Sequence, residues 1–426
     1  MIDLLSGFVA AVIGGGITVA AIRHWGGLVN PAALYLGAWT LSLSLFELRL
    51  LPYPPLIPEA VLLIATAGAA FIAGVASASL PGWRALADRV GAWFATADIT
   101  TSRPVMLSMM VTLLALGLLA TTLYVVAVVG SLGPLAFVLK LAAVRLLRPD
   151  LHYPALLLWG SAIYIWLLAA GLSYRIPTPF YWVGFIAIIP FALTTGRTEP
   201  FMVVVIALVA WLLRESHSRQ LGTRQVVVIG VSAVLLLGAF LTINALLRKG
   251  VADAAIGYGF PRALRSLVDP YLYVSAPVAA FNELVRDHTL SGDMSGPLTF
   301  WPVHRALFGF GLEGTPASFV APDVDVPFPV NVYTFLEPYW REYGVAGCVG
   351  ISWFLGLAGG ALHRVAVAGK TALARLPYAI FAFAIVISPF VNHFSPLMVP
   401  LLIAFVPLLA GTGVLLSRHL RIAFAG

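Results

Sequence analysis

The sequence predicts an all-α membrane protein that crosses the bilayer about eleven times. Of its 426 residues, 60% are hydrophobic and only 10% are charged, whereas average usage is roughly half apolar and about a quarter charged. Apolar runs recur along the chain, and a run of about 20 residues spans a bilayer as a helix. These runs are too long and too uniformly apolar for the strands of a barrel, the other architecture that satisfies its backbone in lipid. We therefore expect a single integral membrane domain over residues 1–426.

The apolar runs give the approximate positions of the spans. They lie near 2–22, 31–50, 58–80, 105–129, 153–173, 177–194, 199–214, 225–247, 344–364, 373–391 and 396–416. The first lacks a basic leader and a small-residue cleavage site, so we expect a retained helix rather than a signal peptide. The second contains Glu47 and Arg49, which are costly at membrane depth unless they pair or reach water. Residues 132–147, with Lys140 and Arg145, are typical of an amphipathic helix on one membrane face.

The basic residues of the loops predict the orientation of the chain. Every second loop is rich in arginine and lysine, and cytoplasmic loops are the ones enriched in these residues. The enriched loops carry Arg23; Arg84, Arg89 and Arg103; Arg175; Arg214, Arg219 and Arg224; Arg364, Lys370 and Arg375; and Arg418 with Arg421. The short loops 51–57 and 392–395 carry neither residue. We therefore expect the N-terminus outside, the C-terminus in the cytoplasm, and the long segment 248–343 on the outer face.

Charge and cysteine content exclude some partners and some chemistry. The net charge is +7, but the basic residues are spread between the spans instead of forming a cluster, so we expect no nucleic-acid partner. The single cysteine, Cys348, lies in a predicted span and leaves no intrachain disulfide to form. Membrane lipids are the partners that such apolar surfaces require.

The turn at 194–200, TTGRTEP, is a candidate anion site on the outer face. Gly196 lets the backbone turn freely, and Pro200 fits the first turn of the helix that follows. The helix start directs free N–H groups and a partial positive charge outward beside Arg197, a combination that suits phosphate. Because short outer loops are normally poor in arginine, we interpret Arg197 as a contact to a lipid-linked phosphate or pyrophosphate. The alternative is an arginine at headgroup level, paired with Glu199 or with any anionic lipid.

The outer segment 248–343 is too long for a simple connector. Loops of this kind are usually functional or disordered, and its many aromatic residues argue against disorder. We expect a helix near the surface over 262–286, and His304 is a candidate base near neutral pH. The candidate substrate-binding basic residues of this segment are Arg248, Lys249, Arg265 and Arg305. Asp323 and Asp325 form a DxD pair, but acidic residues in a proline-rich loop are more often solvated than metal-bound, so we expect no metal site.

Polar, aromatic and charged residues concentrate at 331–347, NVYTFLEPYWREYGVAG, directly before a predicted span. No membrane helix needs this collection merely to insert, so we interpret it as the rim of a working site. The candidate substrate-binding residues are Asn331, Tyr333, Thr334, Tyr339 and Glu342, and the first three can form hydrogen bonds with sugar hydroxyls. Arg341 is a candidate phosphate ligand, and Glu337 or Glu342 is a candidate proton acceptor. The alternative for Glu342 is a carboxylate that stabilises the N-terminus of a helix starting near Gly344.

Two motifs and the layout of the chain resemble the Wzy-type O-antigen or oligosaccharide repeat-unit polymerases. A GRT turn opens a short span, a long outer segment follows, and N-x-x-T then precedes Y-x-x-[DE]-[YF]-G-x-x-G at the start of a span. The matching residues are Gly196-Arg197-Thr198, Asn331, Thr334, Tyr339, Glu342-Tyr343-Gly344 and Gly347. The acidic position is usually Asp in that family, so Glu342 is a mild departure. The layout covers most of the chain, whereas the matching residues are confined to the two motifs.

The resemblance implies a glycosyltransferase with a GT-C-like helical architecture in the bacterial inner membrane. Its donor would be a glycan on undecaprenyl pyrophosphate, and its acceptor a sugar hydroxyl of a single lipid-linked repeat unit at the outer face. The resemblance implies no nucleotide sugar, and we expect no cofactor. A polysaccharide co-polymerase that sets chain length is an implied partner. Fixed arginines would stabilise the departing pyrophosphate. Arg197 is the leading candidate for this role, and the next candidates are Arg341, Arg248 and Arg305.

Three other functions remain open. An O-antigen ligase shares the donor and the layout but uses lipid A-core as acceptor; the N-x-x-T and [DE]-Y-G motifs favour the polymerase. A transporter or flippase of lipid-linked sugars predicts inverted repeats and charged or broken helices near mid-membrane, and the sequence has neither clearly. A structural membrane scaffold would leave the outer arginines unexplained.

Overall fold

The computed structural model describes residues 4–96, 198–215, 252–288, 295–312, 321–369 and 371–395, with a few scattered positions between 223 and 241 and at 290 and 403. Apart from these scattered positions, the predicted spans near 105–129, 153–173, 177–194, 225–247 and 396–416 lie outside the described residues. The predicted amphipathic helix at 132–147 lies outside them as well.

The described part is built almost entirely from helices. They are α1 (Leu4–Trp25), α2 (Pro31–Glu47), α3 (Pro58–Ser77), α4 (Pro81–Thr96), α5 (Thr198–Glu215), α6 (Ala252–Gly257), α7 (Val268–Arg286), α8 (Trp301–Gly309), α9 (Glu337–Gly369) and α10 (Ala372–Ile387). A 3-10 helix, Arg262–Leu267, leads into α7. Two short antiparallel strands, β1 (Val324–Asp325) and β2 (Pro329–Val330), pair in the outer segment.

Among the described helices, three are long and apolar enough to cross a membrane: α1, α3 and α9. The helices α5 and α10 contain shorter apolar stretches. The chain is therefore a helical membrane protein, as its composition predicts. The expected number of spans and the GT-C-like architecture remain predictions.

The sequence explains where several of these helices begin. The side chain of Asn30 accepts a hydrogen bond from the Ala33 N–H at 2.8 Å, and Pro31 follows it at the first helical position of α2. Thr371 caps α10 in the same way, through the Ala374 N–H. A side-chain oxygen before the first turn satisfies a backbone donor that the helix itself leaves unpaired. Pro58 occupies the first turn of α3, where a missing N–H costs nothing.

Helices α3 and α9 form the centre of the described bundle and pack through glycines. A Cβ atom added at Gly356 would lie 2.0 Å from the Phe71 carbonyl oxygen, and one added at Gly74 would lie 2.0 Å from the Trp353 carbonyl oxygen. Further along, a Cβ at Gly360 would lie 2.7 Å from the Ala78 Cβ. Small residues let membrane helices approach this closely and gain van der Waals contact. Because the contacts advance together along both helices, α3 and α9 run parallel.

The described loops among those used to predict orientation lie at two opposite ends of this bundle. At one end, Arg364 donates to the Ser79 hydroxyl at 2.5 Å, just beyond α3 and near the end of α9. At the other end, the loop after α2 is held by α7: Leu50 N–H donates to the Tyr271 hydroxyl, and Ile57 N–H donates to the Asn282 side chain. The sequence analysis assigned these two groups of loops to opposite membrane faces. Which face each end occupies remains a prediction.

Several local expectations can be compared with the structure. Residues 262–286 are helical as expected, with an exposed 3-10 helix over Arg262–Leu267 followed by α7, which is mostly buried and packs against α2 and α3. Glu47 and Arg49 form an ion pair at 3.6 Å, which is one of the two arrangements that the sequence left open. The stretch after α3, taken from the sequence as a loop up to 103, instead contains α4, because its apolar residues recur at helical spacing.

Candidate functional site

The stretch 331–343 lies at the end of the bundle that α7 covers. Helix α9 starts at Glu337, seven residues before the start predicted near Gly344. At Gly344 the helix breaks, with φ 60° and ψ −144°. The short helical piece that precedes the break carries three charged residues, whereas the apolar stretch that spans a membrane starts after it. The candidate site is therefore built on a separate turn of helix at the mouth of the bundle.

Phe335 fixes this piece against two other helices. It is fully buried, and its backbone N–H donates to the Ser388 carbonyl oxygen, at the end of α10, at 2.9 Å. Its ring lies 6.2 Å from the rings of Tyr35 and Trp39 of α2, in edge-on contact with both. Edge-to-face aromatic pairs at this separation are favourable. Phe335 thereby ties the start of α9 to α2 and α10.

Glu337 and Arg341 form the charged centre of the candidate site. They stand one helical turn apart, with Arg341 Nε 2.6 Å from a Glu337 carboxylate oxygen, and each side chain is only about one-seventh exposed. The Arg341 guanidinium also lies 5.6 Å from the centre of the Tyr333 ring, within cation–π range. Tyr333 is held in turn, because its hydroxyl donates to the Pro322 carbonyl oxygen at 3.0 Å. A carboxylate, a guanidinium and a phenol are thus held in one half-enclosed corner.

Burial changes the proton affinity of this group. Desolvation raises the pKa of Glu337 to about 7; the Arg341 charge opposes the rise and the Glu342 charge adds to it. Burial likewise raises the pKa of Tyr333, against the lowering effect of Arg341. A carboxyl group that exchanges its proton near neutral pH is suited to general acid–base chemistry. The pair can therefore offer a proton acceptor and a fixed positive charge side by side.

Glu342 has a different environment from Glu337. Its side chain is buried, and its two carboxylate oxygens accept hydrogen bonds from the backbone N–H groups of Leu298 and Thr299, at 2.5 and 3.0 Å. These residues lie in the turn that leads into α8. The sequence analysis proposed that Glu342 takes a proton, binds substrate or favours its own helix start. The structure instead shows it holding a distant segment of the chain.

The remaining residues of the Y-x-x-E-Y-G-x-x-G motif make close contacts. A Cβ at Gly296 would lie 1.9 Å from the Tyr343 hydroxyl oxygen, so this hydroxyl rests directly on the backbone of the turn that Glu342 holds. Gly344 has a positive φ that other residues adopt only with strain. A Cβ at Gly347 would lie 2.6 Å from the Tyr339 carbonyl oxygen. The two motif glycines thus permit the break and the close packing around Tyr343.

Tyr339 joins the motif to the turn after α10. Its buried hydroxyl lies 3.3 Å from the Ser395 hydroxyl and accepts a hydrogen bond from the Asn392 amide at 3.4 Å. The Asn392 side-chain oxygen accepts from the backbone N–H groups of Phe394 and Ser395, which shapes the turn. Tyr339, proposed for substrate binding, has its hydroxyl occupied inside the protein.

The start of α5 approaches the same turn. The ring of Phe201 lies 6.1 Å from that of Phe383 in α10, and Phe383 lies 5.3 Å from the His393 ring. Helix α5 begins at Thr198, directly after Arg197. Arg197 itself lies outside the described residues, as do Arg248 and Lys249.

The other predicted site residues have varied surroundings. Asn331 is exposed at the surface, whereas Thr334 is buried and its hydroxyl accepts from the Leu336 N–H at 3.4 Å. His304 lies on α8, with Nε2 3.2 Å from the Ser295 carbonyl oxygen. Arg305 follows it on the same helix, and Arg265 is exposed on the 3-10 helix. Within the part of the chain that the structure describes, no group of three or more His, Cys, Asp or Glu side chains could hold a metal ion.

Sequence reasoning alone missed the turn at 295–300 as a partner of the motif. The local signal in the sequence is a pair of nearby glycines, one of which is Gly296. In the structure Gly296 has a positive φ of 69°. Nothing in the sequence connects it to Tyr343. Comparisons of the chain with protein-family models, curated proteins and solved structures found no match.

Proposed function

We propose that the protein polymerises lipid-linked oligosaccharide repeat units at the outer face of the bacterial inner membrane. It would transfer the growing glycan from undecaprenyl pyrophosphate to a sugar hydroxyl of an incoming lipid-linked unit, as O-antigen polymerases do. The observation that carries this proposal is the Glu337–Arg341 pair beside Tyr333. It supplies the two groups that such a transfer needs, and it lies among the residues of the motif that resembles the one in this family.

The proposed reaction forms one bond and breaks one. The acceptor hydroxyl oxygen attacks the anomeric carbon of the donor sugar while the bond from that carbon to the pyrophosphate oxygen breaks. The bonding electrons leave with the pyrophosphate, whose growing negative charge a fixed guanidinium stabilises. The proton of the acceptor hydroxyl passes to the Glu337 carboxylate, whose pKa of about 7 suits the uptake of a proton near neutral pH.

Arg341 has two roles in this scheme. Without substrate its charge is neutralised by Glu337 at 2.6 Å. A pyrophosphate that engages the guanidinium weakens this pairing and with it the interaction that lowers the pKa of Glu337. Donor binding then makes the carboxylate a better proton acceptor. Tyr333, under the guanidinium, keeps Arg341 at the mouth of the site.

Arg197 is the second proposed phosphate ligand. Helix α5 starts directly after it and is long enough for its N-terminal N–H groups and dipole to attract an anion. The contact of Phe201 with Phe383, and of Phe383 with His393, supports placing this helix start near the turn that Tyr339 binds. The apolar surfaces between spans would hold the polyprenyl chains. A chain-length-setting co-polymerase is a proposed partner.

Complementation of a deletion strain tests the proposal. The strain receives wild type, Glu337→Gln or Arg341→Ala at matched membrane levels, and its surface polysaccharide is separated on a gel. We expect wild type alone to restore the ladder of long chains, and the two variants to leave a single repeat unit on the lipid anchor. Glu47→Gln is the matched control, because it alters another surface ion pair, with Arg49, away from the candidate site.

Other outcomes identify the alternatives. A deletion strain that still makes long chains contradicts polymerisation. If those chains accumulate on the polyprenyl carrier, the protein acts as a ligase; if the polysaccharide is unchanged, a transporter or an unrelated role takes precedence. If both variants restore the ladder, the pair does not take part in the reaction.

A further inference from the structure

Helix α4 carries an apolar stripe that the described bundle leaves uncovered. Trp83, Leu86, Val90 and Trp93 are each between 36% and 51% exposed. They follow one another at intervals of three or four residues, so they share one face of the helix. Leu80, just before the helix, is exposed as well. Contiguous exposed apolar patches of this kind mark contact with a protein or a membrane.

A neighbouring face of α4 fixes the helix to the bundle. Ala87, Gly91 and Phe94 are buried there. A Cβ added at Gly91 would lie 3.1 Å from the Ala368 Cβ and 3.3 Å from the Val365 carbonyl oxygen, so α4 packs closely on the last turns of α9. The orientation of the stripe is therefore set by this contact.

The position of α4 along the bundle places the stripe at the end of the spans. Helix α3 ends at Ser77, and α4 starts at Pro81, only a few residues later. Ser79, in the connection, binds Arg364, the first charged residue after the apolar part of α9. The stripe thus lies where two membrane-crossing helices leave the apolar layer. Tryptophans are enriched at this level, because their amphipathic rings suit the boundary between headgroups and acyl chains.

The charges around the stripe fit an anionic membrane surface. At 3.6 residues per turn, Arg89 borders the stripe beside Trp93, on the side away from α9. Arg84 and Asp88 lie beyond the contact face, both exposed. A helix with apolar residues on one side and basic residues at its border lies in the plane of the headgroups and is attracted to anionic lipids. Continuity with the spans and this charge pattern favour lipid over a second protein.

We propose that the stripe of Trp83, Leu86, Val90 and Trp93 inserts into the headgroup–acyl boundary of an anionic lipid leaflet, with Arg89 on the headgroups. Helix α4 then anchors the shared end of α3 and α9 to the membrane surface. The proposal does not depend on the enzymatic activity proposed above.

Spin labels on single cysteines test the placement. The full chain with Cys348→Ala is labelled at Leu86→Cys or Val90→Cys on the stripe, and at Ala85→Cys or Ala92→Cys on the exposed opposite face as matched controls. It is reconstituted in vesicles of phosphatidylcholine with and without phosphatidylglycerol. Collisions with oxygen, which concentrates among acyl chains, are compared with collisions with a water-soluble nickel chelate. We expect the ratio of oxygen to nickel collisions to be several-fold higher at the stripe than at the controls.

Two results would overturn the insertion. If the stripe labels meet the nickel chelate as often as the controls do, the stripe lies in water. If they are immobile and meet neither reagent, another part of the protein covers it. The role of the charge is tested by comparing Arg89→Gln with Arg89→Lys, each carrying the label at Leu86→Cys. Adding phosphatidylglycerol should raise the ratio of oxygen to nickel collisions in the lysine variant only, because only that variant keeps the positive charge. An equal shift in both variants contradicts the role of Arg89.

Discussion

The carboxylate of Glu342 accepts a hydrogen bond from the backbone N–H of Leu298, 44 residues earlier in the chain, at 2.5 Å. The second oxygen takes the adjacent Thr299 N–H. One buried side chain therefore joins the start of α9 to the turn before α8. Helix α8 carries His304. Tyr343 reinforces the joint by resting on Gly296. The acidic and aromatic positions of the motif thus connect the outer segment to the helical bundle, while Glu337 and Arg341 pair with each other beside it.

Replacing Glu342 should release the turn at 295–300. Glu342→Ala leaves two backbone donors without their carboxylate partner in a partly buried turn, at a cost of up to about 1–3 kcal/mol in total. We expect faster hydrogen exchange over 296–309 and a lower melting temperature. Glu342→Asp should be intermediate, because its shorter side chain cannot reach both donors. The exposed Glu59, changed to Gln, is the control; unchanged exchange in Glu342→Ala would mean that this carboxylate does not hold the turn.

Glu337 should make the stability of the protein depend on pH. Its pKa is about 7 in the folded state and ordinarily 4.5, so between these values the folded state holds a proton that the unfolded state has lost. Stability therefore falls as pH rises from about 4.5 to 7, by on the order of 3 kcal/mol, and changes no further above 7 on account of this group. Glu337→Gln removes the titrating carboxyl group, so the fall in stability that this group causes should disappear.

Thermal unfolding in detergent from pH 4.5 to 8 measures this effect. The decline attributable to Glu337 is the difference between the wild-type and Glu337→Gln profiles. Glu283→Gln, which alters a more exposed carboxylate paired with Arg286 at 2.7 Å, should retain the wild-type decline. Parallel profiles for wild type and Glu337→Gln would show that the Glu337 carboxyl does not titrate between pH 4.5 and 8 in the folded protein.

Gly344→Ala should destabilise the break in α9. The φ of 60° and ψ of −144° at this position lie in a region that side chains other than glycine avoid, and such strain costs of order 1–3 kcal/mol. Gly350→Ala, in the regular helix with open space around its Cα, should be neutral or stabilise by up to about 1 kcal/mol. The melting temperatures of the two variants measure the difference. Equal melting temperatures would show that position 344 does not require glycine.

Gly356→Ala should disturb the packing of α3 on α9. The new Cβ would lie 2.0 Å from the Phe71 carbonyl oxygen, so the helix backbones must separate. Overpacking of this kind costs about 1–3 kcal/mol. The melting temperature of this variant should therefore be lower than that of Gly350→Ala, whose added Cβ meets open space. Equal melting temperatures would contradict the close approach of the two helices.

The sequence alone determined what depends on composition and local pattern. Apolar length predicted α1, α2, α3, α5 and α10 within a few residues, since burial of apolar side chains in lipid does not require knowledge of their neighbours. The i,i+4 spacing of Glu337 and Arg341 already allows their pairing. For Glu47 and Arg49 the sequence left pairing and contact with water as alternatives, and the structure contains the pair.

Only the tertiary structure decided the roles that depend on distant partners. Glu337 and Glu342 are the same residue type five positions apart, yet one pairs with a guanidinium at the mouth of the site and the other binds backbone N–H groups of a remote turn. Their difference arises because the break at Gly344 and the turn at Gly296 bring 295–300 against α9. No local preference encodes that encounter, since the hydrogen bonds form only after two segments far apart in the chain have packed together.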